Sequence, residues 1–312
     1  MTMIDRPRLR IGTRGSPLAR AQTEIVRTRL AAANGLDSAE IEVVVIRTSG
    51  DAVHDRPLAD VGGKGLFTKE IEEALLARTI DLAVHSAKDV PTFLPDGLVL
   101  AAYPERADPR DAFVSTRADR LAALAPGAVV GTASVRREAL VRRLRPDVDV
   151  KLLRGNVHTR LEKVENGSFD ASVLALAGLQ RLGLEGKARE LLDPEIFPPS
   201  VGQGAIAVEV RALDPVAAAL VVAIDDAPTS IALAAERAFL AELDGSCRTP
   251  IAGHARLMDG RLRFHGLVIS PDGREAAETT RDGLPADAAR LGADAGRELK
   301  RRAPASVLAS LA

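Results

Sequence analysis

The sequence predicts an α/β protein of three domains. Two are α/β lobes with mostly parallel sheets, and the third is a smaller C-terminal α+β domain with an antiparallel sheet. Three observations carry this. The chain has 312 residues, more than a single hydrophobic core usually serves. Strand and helix signals alternate and then restart near residue 105, as two successive βαβ halves require. The C-terminal part instead alternates apolar and polar residues between Asp-Gly pairs, as an antiparallel meander does.

The elements follow in order. "RLRIG" (8–12) and "IEVVVIRTSG" (41–50) read as strands, the second a β-branched run expected of a buried parallel strand. Between them "SPLARAQTEIVRTRLAAANG" is a helix, with Ser16 to cap it, Pro17 in its first turn and Asn34-Gly35 to end it. "FTKEIEEALLART" (67–79) is a second helix, and "IDLAVHSAKDVP" (80–91) a strand that runs into a loop and stops at Pro91.

After "DAFVS" (111–115) the pattern restarts. "AVVGTASVRREALVRRLRP" (128–146) and "DVDVKLLRGNVHTRLEKVENG" (147–167) each read as strand, turn and helix, followed by "FDASVLALAGLQRLG" (169–183). "FPPSVGQGAIAVEVR" (197–211) supplies a strand that returns the chain to the first lobe. A helix at 229–243, a meander over 251–283 and a helix over 285–302 complete the reading. The expected domains are 1–104 with 203–222, then 105–200, then 227–312.

Composition narrows the class. Apolar residues make up 46% and charged residues 27%, as in an ordinary globular protein, and with no tryptophan the core must be aliphatic. A single cysteine excludes an intrachain disulfide and fits a reducing compartment. The N-terminus lacks the apolar stretch of a secretory signal, and the longest apolar run, 216–224, is too short to cross a bilayer. A cytoplasmic protein is therefore expected. Net charge is −1, which gives no general pull toward nucleic acid or acidic membranes. The five histidines show no zinc spacing, so no metal is expected.

Charge distribution says more than the total. From Arg136 to Lys163 nine basic residues face four acids. Many of them fall where elements begin or end, and in open α/β sheets ligands sit beyond the carboxyl ends of the strands. Arg14 and Ser16 follow the first strand, and His85, Ser86, Lys88 and Asp89 follow "DLAV". Thr132, Ser134, Arg136 and Arg137 follow "AVVG", and Arg154, Gly155, Asn156 and Arg160 follow "VKLL". Hydroxyls and N–H groups at helix starts, combined with forked guanidinium groups, grip carboxylates or phosphates.

The lone cysteine, Cys247, lies in "LDGSCRTPIAG" (243–253), between turn residues and beside Arg248. A lone cysteine is most often a small buried apolar residue, whereas a neighbouring arginine favours the reactive thiolate. From these residues alone the chemistry stays open. A two-lobed anion-binding receptor fits, as does a thiol hydrolase pairing Cys247 with His254.

Taken in order and spacing, "RIGTRGSPLA", "GGKGLFTKEIE", "HSAKDVP", "GTASVRR", "LRGNVHTRL", "LALAGLQRLG", "VGQGA" and "DGSCRTPIAG" resemble the motifs of the porphobilinogen deaminase (hydroxymethylbilane synthase) family over roughly residues 8 to 255. The resemblance implies two lobes like those of periplasmic binding proteins. It also implies an enzyme of tetrapyrrole biosynthesis that condenses four molecules of porphobilinogen, with loss of ammonia, and acts as a monomer. It implies a dipyrromethane cofactor held by a thioether to Cys247.

By motif position, Arg14, Ser16, Gln22, Arg154, Arg160 and Arg181 would bind substrate. Lys88, Thr132, Ser134, Arg136, Arg137 and Gln203 would hold the cofactor, with Asp51 nearby and Asp89 as the catalytic carboxylate. Lys64 and Phe67 would belong to a lid over the cleft. Asp60 departs from the family, which often carries a basic residue there. Read without the family, Asp89 is equally a turn residue before Pro91. His158 is assigned no chemistry, and Arg142, Arg143 and Arg145 are expected to be solvated.

Overall fold

A computed structural model describes residues 9–52, 65–243 and 249–308. The chain opens with β1 (Leu9–Arg14), α1 (Pro17–Asn34), β2 (Ile41–Ile46) and the short α2 (Ser49–Ala52). It continues through α3 (Lys69–Leu76), β3 (Leu82–Ser86) and β4 (Leu98–Ala102). A second unit contains β5 (Asp111–Ser115), β6 (Val129–Thr132), α4 (Val135–Leu144), β7 (Asp149–Leu152), α5 (Val157–Glu165), β8 (Ala171–Ala175), α6 (Leu176–Arg181) and β9 (Glu190–Leu191). Then β10 (Ile206–Arg211) and α7 (Pro215–Val222) return to the first unit. The last part comprises α8 (Ala227–Glu242), β11 (Ile251–Met258), β12 (Arg261–Ile269), β13 (Ala276–Gly283), α9 (Ala288–Arg302) and α10 (Ala305–Leu308).

The first sheet has the order β2-β1-β3-β10-β4 and the second β7-β6-β8-β5-β9. In each, a single strand opposes the rest: β10 is antiparallel to both neighbours, and so is β5. These are the strands that enter each lobe from the other, so the lobes exchange one reversed strand apiece. The third sheet, β11-β12-β13, is wholly antiparallel.

Local chemistry explains the helix ends. The Ser16 hydroxyl accepts the Ala19 N–H, Pro17 opens α1, and Gly35 closes it at φ 63° by donating to the Ala31 carbonyl. Val26 and Leu30 of α1 pack with Ile11, Val84 and Val208 on one face of the first sheet. Ile71 and Leu75 of α3 cover the other face with Ile80 and Ala83. In the C-terminal part α8 and α9 cross closely, because a side chain on Gly292 would meet the Ala235 carbonyl at 1.9 Å. Phe239 of α8 packs on Phe264 at 4.9 Å between ring centres, and its truncation to Ala would cost about 3–5 kcal/mol.

The structure corrects several expectations. Although β2 is parallel to β1, it is the sheet edge, and Val45 is 49% exposed, so its β-branched run is not buried as expected. The second helix begins at Lys69, and Phe67 lies in the turn before it. Arg143 is exposed as expected, but Arg145 and Arg142 are not simply solvated. Arg145 donates to the carbonyls of Leu121 and Leu124, and Arg142 to that of Pro271. Asp259-Gly260 makes the first hairpin turn at positive φ, whereas Asp282-Gly283 ends β13.

The two connections between the lobes run side by side. Ala107 N–H donates to the Gly204 carbonyl, and Gly204, at φ 88°, sits where a Cβ would be 2.5 Å from the Ala107 carbonyl oxygen. Glu236, fully buried on α8, binds them together. Its carboxylate accepts from Arg106 (2.6 and 3.1 Å), the Gly202 N–H (2.7 Å) and the Ala255 N–H (2.8 Å).

Candidate active site

The site lies between the lobes, at the carboxyl ends of β1, β3, β6 and β7. On the first lobe a pocket is lined by Arg14, Ser16, Gln22, Phe67, Ser86 and Asp89, together with Thr68 and His85. Arg14 stands over the Phe67 ring, 4.0 Å from its centre, in a cation–π contact. Gln22, buried on α1, hydrogen-bonds to the Ser86 hydroxyl at 2.9 Å and joins the helix to the end of β3. Lys88 and Asp89 follow in a 3₁₀ turn over Ala87–Asp89.

On the second lobe two helix starts face the cleft. The Ser134 hydroxyl caps α4 by accepting the Arg137 N–H, and the Asn156 side chain caps α5 by accepting the Thr159 N–H. Buried Thr132 accepts the Ser134 N–H, so the turn between β6 and α4 is held from both sides. Arg160, one turn into α5, donates to the Gly155 carbonyl. Arg181, at the end of α6, donates to the Gly204 carbonyl in the connection between the lobes.

Between these walls lies a buried ionic knot around Asp111, the first residue of β5. Arg136 reaches it at 2.7 Å and Arg137 at 2.8 Å, and all three residues are buried. Gln203 donates to the same carboxylate at 3.0 Å and accepts from Arg137 at 3.3 Å. Arg136 also donates to the Pro198 carbonyl. Two guanidinium groups thus share one carboxylate, which leaves positive charge beside the cleft.

Electrostatics follow from this excess. Burial, then Arg137, pushes Lys88 down to about 8, with partial relief from Asp89 and Asp111. Burial, then Arg137 and Arg154, lowers Arg160 to about 10 despite Asp89. Burial alone lowers Arg181 to about 10. Lys88, Arg136, Arg137, Arg154 and Arg160 therefore share a field with two carboxylates, Asp89 and Asp111. Such a site is strained by its own cations and is relieved by a ligand that brings several carboxylates.

Most of the residues expected from the sequence meet here. Arg14, Ser16, Gln22, Phe67 and Asp89 line one pocket, and Arg136, Arg137 and Gln203 form one network. Within it the Arg136 guanidinium is engaged by Asp111 and Pro198. Cys247, Lys64, Asp60 and the Asp51 side chain lie outside the described residues. Asp111, Glu236 and Glu209 lie outside the set of site residues that the sequence predicts. For Glu209 and Glu236 the available signal is an acid that interrupts an apolar run, as in "IAVEV" and "IALAAE".

Fold and site together define a two-lobed α/β protein whose interlobe cleft is furnished for a ligand rich in carboxylates. The model of the porphobilinogen deaminase dipyromethane cofactor binding domain matches residues 9–219, and that of the porphobilinogen deaminase C-terminal domain matches residues 230–301. The porphobilinogen deaminase of Nitrobacter hamburgensis is 61% identical over 293 residues, covering 94% of this chain and 93% of the relative. That of Nitrobacter winogradskyi is 62% identical with the same coverage. The chain belongs to the porphobilinogen deaminase family. Its activity is that of a hydroxymethylbilane synthase, a transferase of tetrapyrrole biosynthesis that works with a dipyrromethane cofactor.

Solved structures give a more distant likeness. The Bordetella pertussis BvgS VFT2 domain aligns at 17% identity and TM-score 0.41, covering 70% of this chain and 87% of that one. A Coxiella burnetii periplasmic substrate-binding protein of an ABC transporter aligns at 15% and 0.43, covering 69% and 91%. At those scores the likeness is one of outline and carries no function.

Proposed function

We propose that the interlobe cleft grips the acetate and propionate groups of porphobilinogen and of the cofactor, and that Asp89 is the catalytic carboxylate. The observation that carries this reading is the set of five cations around Asp89 and Asp111, of which Lys88, Arg136 and Arg160 are held below their ordinary pKa, first of all by burial. A dipyrromethane brings four carboxylates, and this donor set fits it. When bound, the cofactor supplies the pyrrole carbon to which the first substrate unit is joined.

Arg14, Ser16, Gln22, Arg154, Arg160 and Arg181 take the carboxylates of incoming substrate. Lys88, Thr132, Ser134, Arg136, Arg137 and Gln203 hold the cofactor, with Asp51 at its edge and Cys247 as its anchor. Breaking the substrate's C–N bond releases ammonia and leaves a cation delocalised onto the pyrrole nitrogen. A carboxylate at Asp89 that accepts the pyrrole N–H gains strength as this charge develops, so it favours the transition state. A C–C bond then forms and a proton leaves the attacked carbon. After four units the bond joining the first unit's methylene to its anchor carbon would break, a proton would return to that carbon, and the released methylene cation would take hydroxide from water, freeing the linear product. Phe67 lines the pocket, and in this reading it belongs with Lys64 to a lid whose closure would exclude water from the cation.

In this reading residues 1–104 with 203–222 and residues 105–200 are the two lobes, and 227–312 present Cys247. The partner is small-molecule porphobilinogen, with neither nucleic acid nor membrane in the reaction, and the chain acts in the cytoplasm as a monomer. Intact-mass measurement of the purified protein is the test. The expected result is a discrete excess over the chain mass that disappears in Cys247→Ser, and a ladder of added pyrrole units on incubation with porphobilinogen. A fully active chain carrying no added mass would overturn the reading.

A further inference from the structure

The 3₁₀ turn that carries Lys88 and Asp89 follows a strand of the first lobe, yet distant parts of the chain hold it in place. At its start the Ala87 N–H donates to the Ala205 carbonyl at 3.0 Å. Beside it Gly202, at φ 74°, lies so close that a Cβ there would be 2.9 Å from the Lys88 nitrogen. Past its end Arg237 of α8 donates from one guanidinium nitrogen to two consecutive carbonyls, Pro91 at 2.8 Å and Thr92 at 3.1 Å.

Consecutive carbonyls of an extended chain point to opposite sides. A single nitrogen reaches both only where the backbone bends, as it does at Thr92 and Phe93. Arg237 therefore favours one course for the chain leaving the turn. Leu233, one helical turn earlier on α8, is fully buried in an apolar cluster with Ala87 and Val90, which flank Lys88 and Asp89. One face of α8 thus packs against the turn and also ties its exit. The neighbouring Glu236 accepts the Gly202 N–H at 2.7 Å, so the residue pressed against Lys88 is held by the same helix.

We propose that Arg237 is a positioning residue of the reaction: by tying the exit of the Ala87–Asp89 turn to α8, it holds the Asp89 carboxylate in register with the reacting pyrrole and does so without touching substrate. The proposal rests on the assignment of Asp89 as the catalytic carboxylate. Misplacing a catalytic group by about 1 Å can cost up to about 10²-fold in rate. The arginines assigned to substrate carboxylates would stay where they are, so the loss falls on kcat and leaves KM nearly unchanged.

The test is a double-mutant cycle on cofactor-loaded enzyme, with loading checked by intact mass. Arg237→Met keeps an apolar stem and removes the donors. It is expected to lower kcat about 10-fold while KM moves less than about 2-fold. In the Asp89→Asn background the same substitution is expected to cost less than about 3-fold, because the group it positions is already gone. An unchanged kcat, a loss confined to KM, or an equal factor in both backgrounds overturns the proposal. Hydrogen exchange read by mass spectrometry supplies a measurement free of activity. The peptide covering residues 87–92 is expected to exchange about 3-fold faster or more in Arg237→Met, relative to peptides of the second lobe, and unchanged exchange overturns the proposal.

Should Arg237→Met fail to fold or to load cofactor, Arg237→Lys goes through the same cycle, since its ammonium can still serve one carbonyl. A loss of about 3-fold that is present with Asp89 and absent without it supports the proposal, and any other pattern overturns it. Asp89→Asn alone tests the functional assignment separately. Near-normal turnover there dismisses the assignment and the proposal together, whereas a large loss there with no effect of Arg237→Met dismisses Arg237 alone.

Discussion

Arg136 and Arg137, neighbours at the start of α4, both reach Asp111, at 2.7 and 2.8 Å from its two carboxylate oxygens. Consecutive residues on a helix diverge by about 100°, so both reach one carboxylate only because it is buried at the helix start. The pair fixes the first turn of α4 to β5 and leaves one guanidinium charge in excess. Asp111→Asn strands two buried cations. It is expected to lower unfolding free energy by about 3 kcal/mol or more, read from denaturant melts. Unchanged stability would show that the knot is not a structural tie.

Asp89→Asn keeps the shape of the side chain and removes its charge. The variant is expected to retain the cofactor by intact mass and to lose about 10²-fold or more in turnover. Near-normal turnover in a cofactor-loaded variant would dismiss Asp89 as the catalytic carboxylate.

Lys88 gives the site a defined alkaline limit. Its pKa is lowered to about 8, chiefly by burial, so the ammonium is present below that pH and is lost as pH rises through it. Binding of the carboxylate ligand should weaken above about pH 8 in wild type. Lys88→Arg keeps its charge there, and the decline in affinity should flatten. Parallel pH profiles for the two proteins would count against Lys88 as a carboxylate partner.

His254, on β11, predicts an acid limit to stability. Burial, and then Arg106 and Arg256, lower it to about 4 from 6.5, with Glu236 opposing. The unfolded chain therefore binds a proton that the folded chain refuses. Stability is complete above about 6.5 and falls as pH drops toward 4, by about 1–3 kcal/mol. His254→Asn should remove one proton from that slope in melts run across this range. A slope identical to wild type would place the acid sensitivity elsewhere.

What could be read in the sequence was local. Ser16, Ser134 and Asn156 cap the helices they precede because a cap needs only its own next three residues. The strand-end residues of the cleft were visible for the same reason, since the βα pattern itself places them at one edge. Partnerships made by the fold were not visible. His85 and Glu209 are 124 positions apart, and Arg106 and Glu236 are 130 apart. The exposed edge position of β2 also escaped, because a β-branched run looks the same whether one strand or two lie beside it.

The carboxylate of Glu236 holds donors from both interlobe crossings and from β11, and α8 ends immediately before the segment that contains Cys247. Pulling any one donor away would leave a buried anion short of its complement, which opposes bending at this junction. A shift of one lobe against the other would then pivot about Glu236 and leave its bonds intact. Room for a lengthening product would then have to come from the walls of the cleft receding from that junction.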